Sequence, residues 1–416
     1  MTAVLATSAR EATDSPRLAW SPALPAPATV PLSQILPDEP LLMMGAGPVP
    51  LPAAVAQANS LVINHLGATM GRVLDHVKAM ARYVFQTASP YVLGVAGPGS
   101  AAMEMAITNL VEPSTRVLSV CNGYFSRRMA EMAGRVGGQV HTVEVGGIEA
   151  ADPDSVARAL STGRFEVLTI VQGETSTTVW NRWLRDIAAV ARRHDCLVVV
   201  DAVCTLSTMP LDMDGWGIDA VITGGQKGLS SIPGVSIMAF SQRAWQRIAA
   251  RRSPPPHWCL DARLANAFWN EGKYHYTAPV SGVLALHEAL RLVCEETLEK
   301  RIRRHLVCSQ ALQAGIEALG LELFAPERSR LNSVIGIRVP AGVDADRVRQ
   351  CMSDNHRVEI SGSFGHPMVR IGQMGEQSRS PNLFRTLHAL GSSCRLAGAR
   401  VDLPGAMAEL ERHLSS

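Results

Sequence analysis

The feature that most constrains this chain is a series of short apolar runs between about residues 90 and 240, separated by stretches of helical periodicity. RVLSVCN (116–122), QVHTVEV (139–145), VLTIVQ (167–172), LVVVDAV (197–203), AVITGG (220–225) and VSIMAF (235–240) read as strands. Several are apolar at successive positions, and a strand buries both faces only when helices cover both sides of its sheet. Between the runs, Trp183, Ile187, Val190 and Ala191 mark one helical stripe, and Met103, Ile107, Leu110 and Val111 mark another. The alternation predicts a large three-layer α/β domain with a mostly parallel sheet.

After the break SPPPH at 253–257 the texture changes. Residues 279–315 read as one long helical stretch with Leu286, Leu290 and Val293 on one face. Strand candidates SVIGIRV (333–339) and MVRIG (368–372) follow, with helices around 344–354 and 380–392. The expected organisation is an Ala/Pro/Ser-rich extension over residues 1–38, the large α/β domain over 39–290, and a smaller C-terminal α+β domain over 291–416.

A formal net charge of +2 with both signs mixed along the chain argues against nucleic-acid or anionic-membrane partners and for small molecules or copies of the chain itself. No apolar run reaches the ~18 residues of a membrane span. The eight cysteines, at 121, 196, 204, 259, 294, 308, 351 and 394, include no CxxC pair. That pattern fits neither a disulfide framework nor a zinc site, so a reducing cytoplasm is the expected compartment and no metal is expected.

Lysine is scarce. Lys78, Lys227, Lys273 and Lys300 are the four in the chain, against thirty-five arginines. Lys227 lies in the glycine-rich segment TGGQKGLSSIPG at the end of an apolar run, a setting that suits the one side chain able to form an imine. In open α/β sheets ligands bind at the carboxyl ends of the strands, and this chain places distinctive groups there. GPGS (97–100) opens a helix whose free amides suit a phosphate. CNGYF gives an aromatic, QGETST gives hydroxyls, VVVDAV gives Asp201 and TGGQKG gives Lys227. An anion cradle, a stacking face, hydroxyls, a carboxylate and an amine are what pyridoxal 5′-phosphate requires. GAGPVP (45–50) imitates a dinucleotide loop, but Pro48 and the lack of an acidic residue some 20 positions on argue against it. GGQKGL lacks the Lys-Ser/Thr pair of a P-loop.

GAGPVP, YVFQT (83–87), GETST, VVVDAV, GGQKGLSSIPGVS, YHYTAPVS (274–281) and VRIGQMG (369–375) together resemble the class V aminotransferases. These are fold-type I pyridoxal-phosphate enzymes, and the resemblance is to the alanine/serine–glyoxylate and pyridoxamine–pyruvate types, from about residue 40 to 400. It implies that Lys227 carries the cofactor and moves the Cα proton, while Asp201 faces the ring nitrogen. It places Phe125 and Val203 on the two ring faces and Thr175 near the ring hydroxyl. Gly99, Ser100 and Gln226 are implied as phosphate ligands, joined by Tyr274 and Thr277 from the neighbouring subunit of a homodimer with shared active sites. Arg370 matches the arginine that pairs with the substrate carboxylate.

The implied activity is transamination from an α-amino acid to a small 2-oxo acid. The alternative is β-elimination or decarboxylation of a modified amino acid, such as a cysteine S-conjugate, in specialised metabolism. Three positions depart from the pattern. Pro98 stands where pyridoxamine–pyruvate aminotransferase has a glutamate, Ser100 where glyoxylate enzymes often have histidine, and Trp180 near a position of small residues, implying an altered pocket rim.

Overall fold

A computed structural model of the chain describes residues 23–415, so the expected extension over 1–38 lies partly outside the described residues. Two compact units divide at Pro40. Residues 23–40 of the first are exposed throughout and contain a short 3-10 turn at Leu32–Gln34. The second unit, from Leu41 onward, contains all the structure that follows.

Its centre is a seven-stranded sheet of β1 (Val92–Ala96), β2 (Arg116–Cys121), β3 (Gln139–Glu144), β4 (Val167–Val171), β5 (Leu197–Asp201), β6 (Ala220–Ile222) and β7 (Val235–Phe240). The order is β1-β7-β6-β5-β4-β2-β3. Only β7 runs against its neighbours, so the sheet is mostly parallel. Strands β4 to β7 are buried at every position, as their unbroken apolar runs predict. Edge strand β3 has no fully buried position, which fits its mixed QVHTVE sequence.

Helices cover the sheet. In α1 (Gly99–Leu110) the expected stripe of Met103, Ile107 and Leu110 is buried. Next comes α2 (Tyr124–Arg135). In α3 (Leu184–Arg193), Leu184, Ile187, Ala188, Val190 and Ala191 face the core, and Arg192 and Arg193 sit at the carbonyl end, where the helix dipole favours cations. Trp183 corrects the sequence reading: it is the residue before the helix, 41% exposed, and stacks under the Arg182 guanidinium at 4.8 Å instead of joining the buried stripe.

The expected single helical stretch over 279–315 is also corrected. It is two helices, α4 (Val280–Glu296) and α5 (Leu298–Ala318), divided at Thr297 with φ +68°. No glycine or proline marks the break. A distant hydroxyl, Tyr83 Oη, accepts the Leu298 amide at 2.8 Å, and the Thr297 side chain faces the Lys300 amide at 3.5 Å, so tertiary and capping contacts replace the helical ladder.

The rest packs as a second layer of α+β. An antiparallel pair of β8 (Val334–Arg338) and β9 (Met368–Gly372) lies with α6 (Ala345–His356), α7 (Ser380–Leu396) and α8 (Leu403–Ser415). Leu312, Ile316, Ile337, Ile371, Leu387 and Leu410 share a core distinct from the one around the large sheet. Met44 belongs to it as well, and Leu42–Met43 pairs with Val358–Glu359. Among the described residues no helix is long and apolar enough to cross a membrane. All eight cysteines are free thiols.

Candidate active site

The connections leaving the carboxyl ends of β1, β2, β4, β5 and β6 converge on one cavity of about 140 Å³. Gly99, Ser100, Phe125, Thr175, Asp201, Val203, Gln226 and Lys227 all line it. Eight of the eleven site residues expected from the sequence therefore meet in one place. The parallel order explains the convergence, because each of these strands points its carboxyl end the same way.

Close packing builds the walls. A methyl group on Gly99 would lie 2.8 Å from Val203, so only a residue without Cβ lets α1 begin this near to β5. Glu174 is fully buried and fixes α2: its carboxylate accepts from the amides of Phe125 and Ser126 at 3.3 and 2.9 Å and from the Ser176 hydroxyl at 2.6 Å. A carboxylate at a helix start satisfies orphan amides and the dipole together. The result holds Phe125 against the cavity.

Asp201, 3% exposed, accepts the Val203 amide at 2.8 Å. Burial nevertheless dominates and pushes its carboxyl up to about 7. The Lys227 amine moves the other way, lowered by burial. Its Nζ donates to the Ala46 carbonyl, which lies in the GAGPVP segment. Gly47 in that segment has φ +99°, and a Cβ there would lie 2.6 Å from Nζ. GAGPVP is thus a strap over the lysine.

Arg370 does not line the cavity but touches its wall, donating to the carbonyls of Thr175 and Gly362 at 2.8 and 2.7 Å. It is 6% exposed, and burial draws its guanidinium down to about 10. Glu174, the one carboxylate acting on it, is already committed to α2. The guanidinium lies 5.1 Å from the Phe364 ring, which stacks on Tyr124 at 4.6 Å and meets Phe125 edge-on at 5.8 Å.

Tyr274 and Thr277 do not join this group. Both are exposed, Tyr274 by 63%, and neither lines the cavity. Trp180 is also absent from the lining; it packs against a small cluster with Ala46, Cys204 and Met374. Sequence reasoning missed Met103, Arg128, Gly173 and Cys204, all on the wall. Arg128 had a legible signal, since it follows Phe125 by three residues on a helix and shares its face. Cys204 donates to the Gly173 carbonyl at 3.1 Å, and burial pushes its thiol up to about 12, which makes it a packing group.

Comparison with known proteins bears on this arrangement. The family model described as aminotransferase class-V matches residues 53–386. An alanine–glyoxylate aminotransferase of Drosophila melanogaster is 34% identical over 87% of this chain and 94% of its own length. The crystal structure of ureidoglycine–glyoxylate aminotransferase from Bacillus subtilis superposes with a TM-score of 0.89 at 30% identity, covering 92% of this chain and all of that one. Pyridoxamine–pyruvate aminotransferase from Mesorhizobium loti gives 0.87 at 25% identity, covering 91% and 99%.

Proposed function

The chain belongs to the class-V aminotransferases, pyridoxal-phosphate enzymes of fold type I, and from that premise we propose that it moves the amino group of a small α-amino acid to a small 2-oxo acid such as glyoxylate. The observation that carries the reading is the meeting of Lys227, Asp201, Phe125 and the opening of α1 on one cavity, with Arg370 attached to its wall.

The residues fit the cofactor. The Gln226 side-chain oxygen is buried without a partner, and Gly47 and Gly99 leave open the space that a Cβ would fill beside Lys227 and Val203. When bound, pyridoxal phosphate supplies an electron-accepting ring. Asp201 would hold a proton on the ring nitrogen. Phe125 and Val203 would hold the ring between them, and Thr175 would serve its hydroxyl. Gly99, Ser100 and Gln226 receive the phosphate. Lys227 would hold the cofactor covalently, and its Nζ would take the proton from the substrate's Cα; the lowered basicity caused by burial keeps more of the free amine neutral for that task. Arg370 holds the substrate carboxylate in the plane of its fork.

The working unit is a homodimer in which Tyr274 and Thr277 complete the partner's phosphate site. Their exposure and their separation from the cavity of their own chain support this. So does the apolar stretch beside Tyr274, where Leu61, Val62 and Leu66 are 56%, 84% and 47% exposed and His65 meets the Tyr274 ring at 6.0 Å. Eight unpaired thiols support a cytoplasmic setting.

The test is borohydride reduction of the yellow protein followed by peptide mapping, and then incubation with alanine and glyoxylate. A pyridoxyl group on Lys227 and appearance of pyruvate and glycine bear the reading out. A label on Lys78, Lys273 or Lys300 would refute the assignment of the lysine. Ammonia released in place of transfer would move the activity to elimination.

A further inference from the structure

The wall of the cavity carries one strong charge that the reading above leaves unused. Arg128 lines it, midway along α2. Its neighbour Arg127 shows what arginines in this chain ordinarily do, making two hydrogen bonds to Glu144 at 2.9 and 2.6 Å. Arg128 has no carboxylate partner among the described residues. Its guanidinium lies over the rings of Tyr124 and Phe125, at 5.0 and 4.8 Å, and makes one hydrogen bond, from Nη1 to the Ser100 hydroxyl at 2.8 Å. Asp201, whose carboxyl Arg128 acts on at a distance, is itself pushed toward its neutral form by burial, so a half-buried guanidinium with no ion-pair partner calls for a ligand that brings an anion.

Ser100 shows where that anion would sit. It is the second residue of α1, whose first amides have no carbonyl one turn behind them. The residue before the helix is Pro98, which has no capping side chain and no N–H to offer. Pro98 therefore removes one N–H at the start of α1, while the amides that no side chain caps stay free for an anion. Because the Ser100 oxygen accepts from Arg128, its own proton is left to donate elsewhere. The buried, unpartnered Gln226 oxygen lies at the same spot: a Cβ on Gly224 would be 2.7 Å from it and 3.2 Å from the Gly99 amide nitrogen. An amide side chain turned about its last bond presents donors there instead.

We propose that Arg128 is the cation of the phosphate site, acting through the Ser100 hydroxyl, and that it makes good the one N–H lost at Pro98. The inference rests on the cofactor reading above and adds a residue to it. Arg128 serves this anion and not the substrate's carboxylate because Arg370 lies at the other end of the aromatic group. The contacts run from Arg370 to Phe364, to Phe125, and only then to Arg128.

The experiment compares the binding of pyridoxal phosphate and of pyridoxal, which lacks the phosphate, to wild-type, Arg128→Gln, Arg128→Lys and Ser100→Ala protein, by spectral titration of cofactor-depleted dimer. Arg128→Gln should weaken pyridoxal phosphate about 10- to 100-fold, the range of a charge-assisted hydrogen bond, and leave pyridoxal within about 2-fold. Arg128→Lys should recover most of the loss, and Ser100→Ala should fall between. Inorganic phosphate should compete with the cofactor less well in Arg128→Gln than in wild type. Equal weakening of both ligands would show that Arg128 only supports the Phe125 ring and would overturn the proposal. So would unchanged cofactor binding accompanied by a raised KM for dicarboxylic substrates alone. Wild-type protein that takes up neither ligand would instead sink the cofactor reading itself.

Discussion

Replacing Asp201 by asparagine should stabilise the cofactor-free protein at high pH while weakening its hold on the cofactor. The carboxyl is buried in the folded chain and pushed from 3.8 to about 7, mainly by desolvation. Between those values the unfolded chain has lost this proton and the folded chain has kept it, so stability falls as pH rises from about 4 to about 7. Moving one acid from 3.8 to about 7 corresponds to about 4 kcal/mol, an upper figure reached above pH 7 and absent below pH 4. Asparagine keeps an oxygen for the Val203 amide and carries no charge to desolvate. Urea unfolding of cofactor-free Asp201→Asn and wild type should give nearly equal stabilities at pH 4 and a variant more stable by about 1 to 4 kcal/mol at pH 8. With cofactor the order reverses, because asparagine cannot hold the ring nitrogen's proton. A variant destabilised equally at both pH values would refute the argument, since its cost would then come from packing and not from a buried charge.

Three further outcomes are expected. Arg370→Ala should retain cofactor absorbance and lose roughly 2–5 kcal/mol of transition-state stabilisation, read as kcat/KM, with Arg370→Lys recovering little; Arg379 offers no substitute, since it is paired with Glu376 at 2.9 and 3.1 Å. Gly47→Ala should impair attachment at Lys227 and cost about 1–3 kcal/mol in thermal or urea unfolding, because the residue has φ +99° and its methyl would meet Nζ. Verified heterodimers of Lys227→Ala subunits with Tyr274→Ala, Thr277→Ala subunits should regain activity in one of their two sites, and no recovery would count against shared sites.

The strands were legible because a buried parallel strand has little choice but to be apolar throughout, as LVVVD and AVI are. Lys227 was legible for a different reason: in a chain that carries its surface charge on arginine, a lysine after such a strand stands out. Positions set by distant partners left no local trace. Thr297 divides two helices through Tyr83, more than 200 residues away, and the strap residues Ala46 and Gly47 meet Lys227 across 180 positions. The edge strand Val92–Ala96 has no counterpart among the sequence-derived strands; its five residues, VLGVA, carry a glycine and end directly at the GPGS turn. Arg128 lay inside a basic pair that looks like surface, although its spacing from Phe125 puts both on one helical face.

The electrostatics of the free chain explain why these scattered residues act as one site. Asp201 is pushed toward its neutral acid and Lys227 toward its neutral amine, so the two groups best placed to offset each other are both driven to discharge by the absence of water. Arg370 and Arg128 make no ion pair with a carboxylate among the described residues: Glu174, which acts on Arg370, is committed to α2, and Asp201, which Arg128 acts on, is pushed toward its neutral acid. What remains is a site with an unmet demand for negative charge at two ends and for one proton-bearing nitrogen in the middle, beside Asp201. In the proposed function a phosphate at α1, a protonated ring nitrogen at Asp201 and a carboxylate at Arg370 would meet those demands in order. Under the proposed function those groups would let Asp201 hold its charge and would give Arg128 and Arg370 anionic partners, so cofactor and substrate binding would stabilise the fold.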